Sequence, residues 1–449
     1  MKSNVIGIRR LGRPEINSPL KNKEWVSFVS DENSVVSSIH KKNLISEIEG
    51  GSLEFFELAG PREKIYFNPR ELKCGIVTCG GLCPGLNDII RELVFELWEG
   101  YGVKNIEGFR YGYKGIAEAE SIKPLQLTPE STDSIHRDGG TILSSSRGPQ
   151  ETGVMVDTLI RRGIKILFTV GGDGTLKGAH DIAGEISRRG LDISVIGIPK
   201  TIDNDIDFVE NSFGFETSFQ AAADIIDSAH IESKGAPDCV GLVKLMGRSS
   251  GFIASHTALA NRNVNYCLIP ELNLRLDGPG GFLEILKERI NRKGHAVIVA
   301  AEGAGQDLMN SGSETEETDK SGNKKLKDIG TYLKREIEDT FRKEGRDINI
   351  KYFDPSYIIR SIPANAADSL YCVHLAQNAV HAAVTGRTDM IVSKWNAHFV
   401  HVPVSMAVKK RKKVNPHGRL WRTVMEATGQ PASFFNPAPE GEVPEGNTD

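Results

Sequence analysis

The 449-residue sequence predicts an α/β protein built on mainly parallel sheet. One observation is a repeated pattern: the short β-branched runs Gly75–Thr78, Ile164–Val170, Ile193–Ile198, Val240–Lys244 and Ala296–Ala301 are each followed by a loop, glycine-containing in all but the third, and a helix-compatible stretch. Fully apolar short strands alternating with helices suit a parallel sheet covered on both faces. The other is glycine use, 46 residues in 449, above the usual share of roughly 7%. Ligands of such sheets bind at the carboxyl ends of strands, so functional residues should lie just after these runs.

Length sets the scale: about 150 residues per domain gives two to three domains with full cores. Hydrophobic residues make up 39% and charged residues 25%, which excludes a disordered or fibrous chain. Lys plus Arg is 55 against 59 for Asp plus Glu, a net charge of −4. That balance provides no bulk attraction for nucleic acid or a membrane surface, so any anion site must be built locally. The six cysteines contain no CxxC pair, which points to a reduced, cytoplasmic setting rather than a disulfide framework or structural zinc. The N-terminus reaches Arg9 and Arg10 before an apolar stretch forms, unlike a secretory signal.

Residues 1–70 are mixed and polar, with short apolar pieces at Trp25–Val29 and Leu53–Leu58, and read as an extension packed on the main body. Residues 306–328 are rich in Ser, Glu, Thr, Lys and Gly and read as an exposed mobile insertion, after which Thr331–Lys343 is helical. The Pro- and Glu-rich tail from Asn436 reads as disordered.

Three loops carry the chemistry. Gly80-Gly81-Leu82-Cys83-Pro84-Gly85 lies between a strand and an amphipathic run, Ile89–Leu97. There, backbone N–H groups and a helix dipole favour an anion; a tight packing turn accounts for the same glycines. The loop is neither GxGxxG nor a P-loop. Gly171-Gly172-Asp173-Gly174-Thr175 follows the strand Ile166–Val170. Three glycines permit close approach of a polyphosphate, and an acid there calls for an intervening divalent cation, which makes Asp173 a Mg²⁺-side ligand or, more plainly, a helix cap. Pro199-Lys200-Thr201-Ile202-Asp203-Asn204-Asp205 packs two carboxylates, a hydroxyl and an ammonium together. Phosphoryl transfer to a hydroxyl uses such a set; an Asx-rich turn would leave Lys200 unexplained.

Arg147 and Arg248 sit among small residues, where a guanidinium can reach phosphate bidentately. Each serves equally as a salt-bridge arginine, and Arg360 has the same ambiguity. Glu302 ends the strand Ala296–Ala301 and can accept sugar hydroxyls or simply satisfy its loop. The basic run Lys409–Lys413 has no interleaved aromatics and reads as a solvated face or subunit contact.

The ordered series CGGLCPGLN, GGTILSSSRGP, GGDGT, PKTIDND and KLMGR, continued by PSYIIR at 355–360, resembles 6-phosphofructokinase. Its long branch, found in kinetoplastids and plants, is the nearest pattern, and the match runs from about Leu72 to Gln430. The resemblance implies two similar Rossmann-like α/β domains with the active site in the cleft between them. The expected division is an extension at 1–70, a nucleotide-binding domain at 71–205, a sugar-phosphate domain at 206–400 containing the 306–328 insertion, with the chain crossing between the two domains, and a C-terminal segment at 401–449. The resemblance further implies a homotetramer and an allosteric enzyme, while the charge balance opposes a nucleic-acid or membrane partner.

Carried onto this sequence, the resemblance assigns ATP to Gly81, Arg147, Gly148, Gly172, Asp173, Gly174 and Thr175, with Asp173 on Mg²⁺. Fructose 6-phosphate falls to Thr201, Ile202, Asp203, Met246, Gly247, Arg248, Glu302, Tyr357, Ile358, Ile359 and Arg360. Asp203 becomes the general base on the sugar 1-hydroxyl, Asp205 supports metal or base geometry, and Lys200 with Arg147 offsets charge on the moving phosphoryl group. Gly174 bears on the donor, because pyrophosphate-using relatives carry a second aspartate there that intrudes on the nucleotide α-phosphate. Lys200 is shared with the pyrophosphate enzymes and with the long ATP branch. The rival readings are transfer from pyrophosphate, a nucleotide-binding subunit without catalysis, and a dinucleotide oxidoreductase, which the absence of GxGxxG opposes.

Overall fold

The computed structural model describes residues 4–50, 53–309, 317–318 and 324–434. Most of the expected insertion (310–316 and 319–323) and the tail from Asn436 lie outside the described residues. The chain forms two compact units, one of Met1–Thr201, Ile206–Gly214 and Ser361–Lys410, the other of Ile202–Asp205, Phe215–Arg360 and Arg411–Asp449.

In the first unit, Asn105–Phe109, Lys73–Thr78, Ile166–Gly171, Ser194–Pro199 and Met390–Trp395 are neighbours, all parallel, within a ten-stranded sheet. These strands read as continuous apolar runs because both faces are covered: every residue of Ile166–Gly171 and Ser194–Pro199 is buried. Strand register brings the loops together. Val170 pairs with Thr78 and Gly171 with Pro199, so the residues after all three strands emerge at one edge. Helices Leu86–Phe95 and Ala366–Val384 pack on each other, as do Thr152–Arg162 and Asp173–Arg188.

Residues 361–400, expected with the second domain, belong to this first unit. The cause is pairing: Met390–Trp395 runs beside Ser194–Pro199, and His398–Pro403 turns back antiparallel to reach Glu54–Leu58. The extension is therefore part of the sheet. It is also tied by charge: the buried Glu57 accepts from Arg10 and Arg62, each at 3.2 Å, and from Arg387 Nε at 3.0 Å. Asp31 bridges Arg62, Arg387 and Arg10 at 2.8, 2.7 and 2.8 Å.

The second unit holds a parallel four-stranded sheet in the order Tyr266–Leu268, His295–Ala301, Cys239–Leu245, Asn349–Phe353. Helices Phe215–Lys234 and Ile329–Lys343 pack on its central strand Cys239–Leu245. The latter helix starts two residues before the expected Thr331, because Asp328 caps it by accepting from the N–H groups of Gly330 and Thr331 at 2.9 and 3.2 Å. Leu245 pairs with Ala301, which brings Met246 and Glu302 out at the same edge. Among the described residues, no helix is long and apolar enough to cross a membrane.

Candidate functional site

In the first unit, three loops leave the carboxyl edge of the sheet and are stitched together. Gly80 N donates to Ser146 O at 3.1 Å and Ser145 Oγ donates to Gly80 O at 2.6 Å, which draws the Arg147–Gly148 segment against the Gly80–Gly85 loop. Arg147 is exposed there. Gly85 takes φ +95°, and a Cβ would meet Cys372 Sγ at 2.8 Å, so the residue opening helix Leu86–Phe95 has to be glycine.

Gly172 caps helix Asp173–Arg188, which places Asp173 in the first turn, where the dipole favours an anion. Its carboxylate meets Lys177 at 2.9 Å. Gly174 is exposed, and a Cβ there would meet nothing within 4 Å. Thr175 is buried instead, its carbonyl accepting from Tyr113 at 2.6 Å.

Lys200 completes this set. It is 5% exposed, its N–H donates to Gly171 O at 3.0 Å, and its ammonium reaches Gly81 O at 2.6 Å. The ammonium thus lies beside the glycine loop. Thr201 ends the stretch, its carbonyl accepting from Ser212 Oγ.

The second unit gathers the remaining residues. Ser250 Oγ donates to Asp203 O at 3.1 Å, which fastens the aspartate loop to the loop carrying Met246, Gly247 and Arg248. Burial is the largest influence on the Asp203 carboxyl and raises it; the charges of Asp205 and Glu302 add to that, and Arg248 and Arg411 oppose it. Asp205 is buried and faces Arg411 at 3.5 Å. Glu302 is also raised by burial, with Arg248, Lys244 and Arg360 opposing. These assigned groups therefore share one electrostatic neighbourhood.

Glycines make the close approach here too. Gly247 takes φ +130° and its carbonyl accepts from Gly303 N at 3.0 Å. Arg248 Nη1 reaches Lys324 O at 2.5 Å. Arg360 lies 4.6 Å over the ring of Tyr357, which is 74% exposed, with Ile358 exposed beside it. Ile202 and Ile359 have buried side chains, so only their backbone is available to a ligand.

Sequence reasoning missed three residues of this neighbourhood. Gly303 follows Glu302 without any motif around it. Lys244, on the strand before Met246, pairs with Asp354 at 2.8 Å and Asp328 at 3.3 Å and so ties the start of the 355–360 segment to that strand. Arg411 belongs to the basic run expected as a solvated face or subunit contact, yet it turns onto Asp205. Lys244 opens the KLMGR motif without a role assigned to it there, and no local signal marks Gly303 or Arg411, since each acts on a residue distant in sequence.

The sequence model of the phosphofructokinase family matches residues 73–383. The chain belongs to the phosphofructokinase family. It is 48% identical over 441 residues to the ATP-dependent 6-phosphofructokinase of Borreliella burgdorferi, covering 96% of this chain and 97% of that one. The ATP-dependent 6-phosphofructokinase of Trypanosoma cruzi is 46% identical over 375 residues, covering 83% and 76%. ATP-dependent 6-phosphofructokinase 7 of Arabidopsis thaliana is 43% identical, covering 94% and 87%. Among solved phosphofructokinases, the pyrophosphate-dependent protein of Marinobacter aquaeolei superposes with a TM-score of 0.64 at 18% identity over 77% of this chain and 86% of that one. The Pichia pastoris phosphofructokinase gives 0.62 at 20% identity over 75% and 35%. These two likenesses establish the fold.

Proposed function

We propose that this phosphofructokinase transfers the γ-phosphoryl group of ATP to the 1-hydroxyl of fructose 6-phosphate, giving fructose 1,6-bisphosphate and ADP. The observation that carries the donor is Gly174. It stands in the first turn of helix Asp173–Arg188 with open space where a side chain would project, which leaves room for a nucleotide. The ATP-dependent names of its relatives at 43–48% identity support the same donor over pyrophosphate.

Gly81, Gly148 and Gly172 to Thr175 hold the phosphates through backbone N–H groups, and Arg147 and Lys200 offset negative charge on the moving group. Arg248, Glu302, Tyr357 and Arg360, with the backbone of Thr201, Ile202, Met246, Gly247, Ile358 and Ile359, hold the sugar phosphate. Asp203 takes the proton of the 1-hydroxyl as that oxygen attacks, and Asp205 keeps it in place.

The residues fit Mg²⁺: Asp173, in the first turn of helix Asp173–Arg188, is a hard oxygen donor of the kind this ion takes beside substrate phosphates. When bound, Mg²⁺ neutralises phosphate charge. The protein is further proposed to act in the cytoplasm as a homotetramer, in keeping with the family resemblance.

The test is product formation by Asp203→Asn. The variant should fall about 10²–10⁴-fold in kcat, the range for loss of acid–base help, with ATP still bound. Turnover near the wild-type rate would remove Asp203 from the base role.

A further inference from the structure

The basic run Lys409–Lys413 is singled out by its charge, and the phosphoryl transfer gives it no task. Its described contacts are specific. Arg411 Nη1 lies 3.5 Å from Asp205 Oδ2, and the next residue, Lys412, donates its N–H to Asp205 O at 2.9 Å. Asp205 is thus held at both its carboxylate and its carbonyl by two consecutive residues of a segment some two hundred positions away. The neighbouring residues extend the attachment. Val414 N donates to Glu271 Oε1 at 2.8 Å, and the same oxygen accepts from Gly251 N at 2.9 Å. Gly251 adjoins Ser250, whose hydroxyl holds Asp203 O at 3.1 Å. The Lys412 ammonium also sits 5.2 Å over the ring of Phe252, the first residue of the helix after that loop.

These contacts form one closed path. From Arg411 and Lys412 it runs to Asp205, along the backbone to Asp203, across to Ser250 and Gly251, and back through Glu271 to Val414. Both loops on the path carry assigned residues, Asp203 on one and Arg248 on the other. A loop with two acids in three residues resists holding both carboxylates together, and a cation on the second acid, outside the substrate contacts, relieves that repulsion.

We propose that Arg411 is a positioning residue for the phosphoryl transfer: with the backbone of Lys412 it fixes Asp205 and thereby the placement of Asp203 against the acceptor hydroxyl. This rests on the phosphotransfer reading of the site. The Arg411 side chain is 34% exposed, and a partly exposed ion pair of this kind contributes little to stability. Misplacing a reacting group by about 1 Å costs on the order of 10² in rate. A positioning role and a structural role therefore predict different readouts.

The experiment uses the full chain with ATP, fructose 6-phosphate and Mg²⁺, and compares wild type with Arg411→Gln, Arg411→Lys and Lys409→Gln. Arg411→Gln should lose about tenfold or more in kcat while KM for each substrate stays within about twofold and the melting temperature within about 2 °C. Arg411→Lys keeps the charge at one contact and should return kcat to within about threefold of wild type. Lys409→Gln removes the same charge from the exposed start of the run and should leave all three quantities unchanged. In an Asp205→Asn background, adding Arg411→Gln should change kcat by less than about twofold, since both act through one contact.

Unchanged kcat in Arg411→Gln, an equal loss in Lys409→Gln, multiplying losses in the double variant, or a melting temperature lowered by more than about 5 °C would each overturn the proposal. Wild-type silence with ATP and fructose 6-phosphate would instead defeat the phosphotransfer reading itself.

Discussion

A Cβ on Gly303 would stand 2.0 Å from the carbonyl oxygen of Arg248. No rotamer relieves a clash between a Cβ and a backbone atom, so the two loops lie together only because residue 303 is glycine. Gly303→Ala must push the Arg248 loop away from Glu302. The expected result is a rise of about tenfold or more in KM for fructose 6-phosphate, with KM for ATP within about twofold. Unchanged sugar KM would show that the two loops need not be in contact for binding.

Gly174→Asp addresses the donor. Position 174 is exposed and a Cβ there meets nothing within 4 Å, so the melting temperature should stay within about 2 °C, as for most exposed substitutions. ATP turnover should fall while the affinity for fructose 6-phosphate is kept. Equal damage to both substrates would contradict the assignment of this position to the nucleotide.

Asp203 makes a pH prediction. Burial, followed by the charges of Asp205 and Glu302, pushes its carboxyl up to about 7. The base must be ionised, so kcat/KM for fructose 6-phosphate should fall about tenfold per pH unit on going below that value. The same shift fixes the sign of the stability effect. An unfolded aspartate titrates near 4, so between roughly pH 4 and 7 the folded chain keeps a proton that the unfolded chain has lost, and this group's contribution declines as pH rises through the window. Asp203→Asn should therefore raise the melting temperature more at about pH 8 than at about pH 5. A flat kcat/KM profile between about pH 6 and 8 would contradict the shift.

The charge network on Glu57 predicts acid lability. His401 is buried and its pKa is lowered to about 4, chiefly by burial, and His381 falls to about 3 for the same reason. Unfolded histidine takes up a proton near 6.5, so stability should drop as pH falls from about 6.5 towards 4. Glu57 itself is held below the usual carboxylate range by His401 and Arg387 despite its burial, so its contribution is lost only at still lower pH. At neutral pH, Glu57→Gln leaves the buried Arg62 and Arg387 with Asp31 as their remaining carboxylate and should cost about 1–3 kcal/mol in urea unfolding, the range for losing a hydrogen-bond partner of a charged group. A cost below about 1 kcal/mol would mean that the cluster does not secure the N-terminal segment.

How much of this was legible in the sequence depends on where each signal lies. The strands before Gly80, Gly172, Lys200, Met246 and Glu302 were visible because buried parallel strands are unbroken apolar runs, and the loops after them because glycines and acids cluster where phosphate is handled. The linear boundary after the second domain was not, because Met390–Trp395 owes its place to pairing with a strand nearly two hundred residues earlier. Arg411 looked like one charge in a solvated run, since its partner Asp205 is remote in sequence. Gly303 stands alone in sequence and becomes necessary only when the Arg248 carbonyl is seen against it.

The most direct test of the central claim is a coupled assay for fructose 1,6-bisphosphate with purified protein, fructose 6-phosphate and Mg²⁺, run in parallel with ATP and with pyrophosphate. Turnover with ATP and none with pyrophosphate is the predicted result. Turnover with pyrophosphate alone would mean that the open space at Gly174 does not select the donor.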